Sequence, residues 1–201
     1  MKNKNKKICI ICRGIPGSGK SYTAKKVLEQ LGGSDPDKHI FSTDKFFIQG
    51  FTKEQKKGLN HDECTLKEIE VYKSNFDLSK LSQAHKWNFN RFKEAIGEKT
   101  TPVIVDNTNV KLWEFENYIK EARSNGYEVI LKEPDSPWWN DYRHMLDDKN
   151  NHKAELEDFA RLLAGVHGGL SKKYGTSGNT HGVPLDAIRR MIRKWQPNVK
   201  I

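Results

Sequence analysis

Gly14-Ile15-Pro16-Gly17-Ser18-Gly19-Lys20-Ser21 is the stretch on which the reading of this chain turns. It fits G-x-x-x-x-G-K-[ST], a loop whose backbone N–H groups converge on phosphate oxygens because glycine puts no Cβ in the way. The neighbouring residues agree. The apolar run within Lys7 to Arg13 reads as a buried strand, and Ala24, Val27, Leu28 and Leu31 keep the i, i+3, i+4, i+7 spacing of a helix that Gly32 and Gly33 end. A helix starting at the loop aims its positive dipole end at the same anion. Lys20 is then placed to reach the β and γ phosphates of ATP, and the Ser21 hydroxyl to hold Mg2+. A turn that bound nothing could be built with fewer glycines and would have no need of a lysine.

Outward from the loop, strands and helices alternate. His39 to Ser42 reads as a second short strand. The segment from there to about Asp77, with Gly50, Gly58 and scattered lysines, shows no clean period and reads as irregular or short helices. Leu78 to Ile96 reads as a helix with Leu81, Phe92, Ala95 and Ile96 on one stripe. Pro102 to Asp106 is a third strand, Lys111 to Ser124 a helix, and Tyr127 to Lys132 a fourth strand. Parallel strands need crossovers, so this order predicts an α/β P-loop kinase fold, three layers α/β/α around a parallel sheet of four or five strands. Residues 134–182 break the rhythm. Helices at about 137–149 and 152–165 lead into a glycine-rich loop, which suggests a helical lid inserted in a single domain spanning 1–201. Pro184 opens a last helix with Leu185, Ile188, Ile192 and Trp195 inward and Arg189, Arg190, Arg193 and Lys194 on the opposite face, which is either solvated or tracks a phosphate backbone.

Composition excludes several classes. Lys and Arg number 35 against 26 Asp and Glu, a net charge of +9 that favours polyanionic partners. A mean hydropathy of −0.81 with no apolar run near ~18 residues argues against a membrane span, and the short apolar run after MKNKNKK against a secretory leader, so the chain reads as cytoplasmic. Three cysteines make no disulfide framework. Cys9 and Cys12 form a CxxC, but on a strand they point to opposite faces. His61 with Cys64 makes a metal pair that no second pair completes.

The remaining candidates lie where acceptors bind in open α/β sheets, beyond the carboxyl ends of the strands. Asp44 follows the second strand and is suited either to take a proton from an attacking hydroxyl or to cap the next helix. Asp106 ends an apolar strand in the Walker-B manner and is a candidate Mg2+ ligand with Ser21. Asn107, Thr108 and Asn109 are candidate substrate contacts, or caps for the following helix. His85 and Asn88 fall on the apolar stripe of their helix, where a polar side chain must be hydrogen-bonded, by a structural network or by substrate. A lid over a phosphoryl group needs cations, for which Arg161, Lys172 and Lys173 are the candidates.

GxPGSGKS, STD-x-FF at 42–47, Ala84-His85-x-Trp87-Asn88, VIVDNTN at 103–109, Pro137-Trp138 and Asn179-Thr180-His181-Gly182-Val183-Pro184 together resemble the P-loop kinases related to polynucleotide 5′-hydroxyl kinase. The resemblance covers nearly the whole chain. It implies transfer of the γ-phosphate of ATP to the 5′-OH end of DNA or RNA, through a tunnel with ATP at one end and nucleic acid at the other. It makes Asp44 the general base and Lys20 and Ser21 the P-loop pair. Two positions depart from the family pattern. Phe47 stands where those enzymes have an Arg that clamps the acceptor phosphate, and Gly178 where they have a lid Arg, for which Lys172 or Lys173 would substitute. A small-molecule kinase and a nucleotide- or nucleic-acid-binding module without turnover stay open as alternatives, as does the oligomeric state.

Overall fold

The computed structural model describes residues 6–201, without the side chains of Lys53, His61 and Asp62. Four parallel strands, β1 (Ile8–Cys12), β2 (Ile40–Phe41), β3 (Val103–Asp106) and β4 (Glu128–Lys132), form one sheet in the order β2-β3-β1-β4. Its helices are α1 (Lys20–Gln30), α2 (Pro36–His39), α3 (Lys53–Lys56), α4 (His61–Asn75), α5 (Leu81–Gly97), α6 (Glu116–Ser124), α7 (Pro137–Arg143), α8 (Lys153–Leu163), α9 (Gly168–Tyr174) and α10 (Leu185–Lys194). Among the described residues, no helix is long and apolar enough to cross a membrane.

Strand alternation decides which helix covers which face. Cys9, Ile11, Val103 and Val105 pack against Phe92 and Ile96 of α5 and Ile119 and Ala122 of α6. Ile10, Cys12 and Ile104 pack against Ala24 and Leu28 of α1 on the other face. The three-layer α/β/α arrangement therefore follows, with four strands. Cys9 and Cys12 do lie on opposite faces, both free, and burial pushes the Cys9 thiol up to about 12. No group of three or more His, Cys, Asp or Glu fit to hold a metal occurs among the described residues, and the His61 side chain lies outside them.

Several boundaries differ from expectation. The second strand keeps only Ile40 and Phe41, because Asp35 caps a helical turn at Pro36–His39 through the N–H groups of Asp37 and Lys38. The segment read as irregular holds the 15-residue α4, started by a capping box between Asn60 and Glu63. Its short period signal is understandable, since α4 buries little beyond Tyr72. The stretch 168–174, read as loop, is helical, with the His167 side chain accepting from the Leu170 N–H.

Residues 137–163 do not hang loosely on the domain. Trp139, Leu146, Phe159, Leu162 and Leu163 share a core with Ile15 of the glycine loop and with Ile188, Ile192 and Trp195 of α10. Each such side chain contributes about 1.5–3 kcal/mol when buried, so α7 and α8 cannot swing out as a flap.

Candidate active site

The glycine loop joins β1 to α1, and its carbonyls are turned outward and tied down. Trp138 Nε1–H donates to Gly17 O at 2.9 Å, Ser136 Oγ–H to Ser18 O at 2.8 Å, and Lys20 Nζ to Ile15 O at 3.2 Å. Gly14 N–H donates to Thr108 O at 3.0 Å, fixing the loop against the strand end beside it. Gly19 caps α1 in the left-handed region (φ 93°), and no side chain caps the helix. The first-turn N–H groups of α1 are thereby left facing the cavity, as an anion site requires.

Asp106 ends β3 in register with Cys12 and is buried beside the loop. The Ser21 hydroxyl lies near enough to favour the ionised carboxylate, while Asp106 Oδ1 has no hydrogen-bond partner. Burial pushes the Asp106 carboxyl up, against the pull of Lys20 and Ser21. Burial likewise lowers the Lys20 amine, opposed by Asp106 and Asp44. A buried, unpartnered carboxylate oxygen next to a hydroxyl is a set of hard oxygen donors that fits Mg2+.

Across the cavity, Asp44 stands in the 3-10 helix Thr43–Ile48 that follows β2. That helix has Ser42 as its cap, so Asp44 is free of capping duty and faces the cavity. Its seat is built from two neighbours: Thr43 N–H donates to Asn107 Oδ1 at 2.9 Å, and Thr43 Oγ1 lies 3.2 Å from His85 Nδ1. Asp44 Oδ2 lies 3.0 Å from His181 Nδ1, and the Tyr72 hydroxyl donates to Oδ1 over a longer 3.4 Å. The His181 ring stacks on Tyr72 at 4.2 Å between centroids and 20° between planes. Burial acts to raise the Asp44 carboxyl, but the His181 hydrogen bond and charge, with Lys20, outweigh it and hold the group below its usual 3.8.

These groups line one cavity of about 860 Å³. It runs from Pro16–Tyr22 past Asp106, Asn107 and Thr108 to Asp44 and His85, then to Phe76 and Leu78 at its mouth, with the loop 176–184 and one face of α10 closing it. Of the expected residues, Pro16, Gly17, Gly19, Lys20, Ser21, Asp44, His85, Asp106, Asn107 and Thr108 line it. Gly14, Ile15 and Ser18 lie behind the loop, with Ile15 fully buried in the core.

Four expected substrate contacts lie outside the cavity lining. Asn88 is fully buried, and its amide donates to the Tyr118 hydroxyl at 3.1 Å, beneath the site rather than in it. Asn109 turns away in the left-handed region (φ 49°), its amide donating to Cys12 O at 2.7 Å and its carbonyl accepting from Arg13 Nε at 3.0 Å. It braces the loop. Lys172 is exposed outside the cavity, and Lys173 is held at the surface by the Tyr174 hydroxyl at 3.0 Å. Arg161 is exposed and stands outside the lining as well.

Both departures from the resembled pattern have physical reasons. Phe47 is core, packed edge-on against Tyr72 at 5.7 Å, where a guanidinium could not be solvated. Gly178 has φ 84° and lies so close to Gly165 that a Cβ would come within 2.4 Å of its N, which excludes any side chain. The basic residue that does line the mouth is Arg190, on the α10 face shared with Ala187 and Met191. Sequence reasoning placed it on a basic face, either solvated or tracking a phosphate backbone, without singling it out. It also missed Tyr72, in the segment without a period, and gave His181 no role although it stands within Asn179–Pro184.

A family model described as AAA domain matches residues 9–167. Human NEDD4-binding protein 2 is 34% identical over 157 residues, covering 78% of this chain and 7% of that protein. YLP motif-containing protein 1 from Rattus norvegicus and from Mus musculus is 29% identical over 135 residues, 65% of this chain and 9% of theirs. The chain thus spans less than a tenth of the length of these relatives. The matched region contains the glycine loop, Asp44 and Asp106, and stops short of His181 and Arg190.

Proposed function

The chain belongs to the AAA domain family, whose P-loop architecture is that of kinase-like nucleotide-binding domains, and from that premise we propose that it is an ATP- and Mg2+-dependent kinase acting on 5′-hydroxyl ends of DNA or RNA. The observation carrying this reading is a single cavity with Lys20, Ser21 and Asp106 on one wall and Asp44 on the other. Backbone amides of the loop and the Lys20 ammonium bind the phosphates of ATP. Asp44 accepts the proton of the acceptor hydroxyl as that oxygen bonds to the γ-phosphorus and the bond from phosphorus to the β–γ bridging oxygen breaks, leaving ADP. Ser21 and Asp106 are the residues that would hold Mg2+, which supplies charge neutralisation at the phosphate oxygens. His85, Asn107 and Thr108 hold the acceptor's path. Residues 134–182 serve as the lid-like part of one unit spanning 1–201.

A polynucleotide acceptor is supported by the net charge of +9, by Arg190 at the mouth, and by half-exposed Phe76 and exposed Leu78 beside it. A small-molecule acceptor is favoured by one observation, the burial of Phe47 where a phosphate-clamping Arg would stand. Incubation with Mg2+ and γ-labelled ATP in the presence of 5′-OH DNA, 5′-OH RNA and a metabolite panel separates the readings. Label on an oligonucleotide end is expected. Label on a metabolite selects the small-molecule kinase, and ATP binding without transfer selects a non-catalytic module.

A further inference from the structure

Two segments more than a hundred residues apart meet over Asp44. α4 brings Tyr72 and the loop 176–184 brings His181, and the two rings stack at 4.2 Å. The loop is not free to place its imidazole anywhere. Asn179 Nδ2 donates to Leu163 O at 3.0 Å and Val183 O at 3.2 Å, and its Oδ1 accepts from Val183 N at 2.5 Å. Gly178 is seated against Gly165 on one side of it. Only Thr180, His181 and Gly182 lie between these anchors, so the chain fixes the His181 backbone from both ends while Tyr72 fixes its ring plane.

The two oxygens of Asp44 are held unequally. Oδ2 lies 3.0 Å from His181 Nδ1, at ion-pair distance, whereas Oδ1 accepts the longer 3.4 Å hydrogen bond from the Tyr72 hydroxyl. Resting on the reading of Asp44 as general base, we propose that His181 is its positioning residue: the imidazole Nδ1–H pins Oδ2 and presents Oδ1 to the acceptor hydroxyl. His181 itself touches no reacting atom. A base held in one orientation is poised for proton transfer, and misplacement by about 1 Å costs up to roughly 10²-fold. His181 lies outside the stretch matched by the family model, so this arrangement is read from the geometry alone.

The test compares His181→Ala with His181→Asn, whose side-chain amide can donate from near the Nδ1 position. Single-turnover transfer in His181→Ala is expected to fall about 10- to 100-fold with the KM for ATP unchanged. His181→Asn should keep most of the rate, and added imidazole should partly restore His181→Ala. Equal or faster transfer in His181→Ala overturns the proposal, as does an equal loss in both variants with a raised KM for ATP, which would mark a merely structural loop. A measurement independent of turnover keeps the two readings apart. The His181 Nδ1 proton should give a downfield hydrogen-bonded NMR signal in the wild type that Asp44→Asn shifts or removes. Its absence from the wild type sinks this proposal alone, whereas wild-type protein that shows the signal but labels no acceptor sinks the kinase reading instead.

Discussion

On the phosphate wall of the cavity, the carbonyls of Gly17 and Ser18 are tied to Trp138 and Ser136, and Ile15 is buried in the core behind them. On the acceptor wall, His181 stacks on Tyr72 from a loop that Asn179 ties to Leu163 and Val183, and Phe76, Leu78 and Arg190 stand at an open mouth. One wall is anchored through directional bonds to elements that cannot move separately. The other is assembled from separate segments that meet through a ring stack and the polar contacts of Asp44. Under the proposed kinase reading the difference suits the two walls, since a triphosphate presents the same oxygens every time, while an acceptor must enter, react and leave.

The comparison predicts that the walls can be broken separately. Asp44→Asn should lower transfer by about 10²–10⁴-fold while ATP affinity, followed with a fluorescent analogue, stays within about threefold. Because Asp44 is held below its usual 3.8, the wild type needs no high pH to keep it ionised. Transfer should hold its rate as pH falls to about 5 and be lost only as pH drops through the depressed value. Lys20→Met should cost about 10²–10³-fold in transfer and weaken ATP binding as well, which Asp44→Asn should not.

Smaller effects sharpen the contrast. Arg190→Ala should raise the KM for an oligonucleotide about tenfold and reduce the slope of log affinity against log salt by about one, with no effect on ATP. An unchanged salt slope would move Arg190 out of the acceptor's path. Trp138→Phe removes one hydrogen bond to the loop, worth about 1 kcal/mol, and should weaken ATP binding about fivefold while leaving the oligonucleotide KM alone. A larger effect on the acceptor than on ATP would mean that the walls are coupled after all.

The phosphate wall was legible in the sequence because its information is local. Eight consecutive residues between a strand and a helix determine it, and Asp106 is placed by the strand that pairs with β1. The acceptor wall draws on Asp44, Tyr72, His181 and Arg190, which only the tertiary fold brings together. His85 and Asn88 show the limit of periodicity. They share a stripe of α5, yet three residues turn the helix by about 300°, and that offset sends His85 to the cavity and Asn88 to Tyr118. Asn109 was misread because its left-handed backbone, which asparagine tolerates, reverses the side chain away from its neighbours Asn107 and Thr108. Phe47 and Gly178 depart from the resembled pattern in sequence, but each is demanded by packing.

The close seating of Gly165 on Gly178 has a consequence for how the chain can change. Residues 166–177 leave from and return to nearly the same point, like a side road that rejoins at its own junction. At its far bend, Gly175 has nothing within 4 Å of where a Cβ would stand. Residues inserted there, with Gly175 itself kept for its left-handed backbone (φ 64°), would lengthen the detour, which makes this bend the natural place to splice in a fluorescent reporter or an affinity tag.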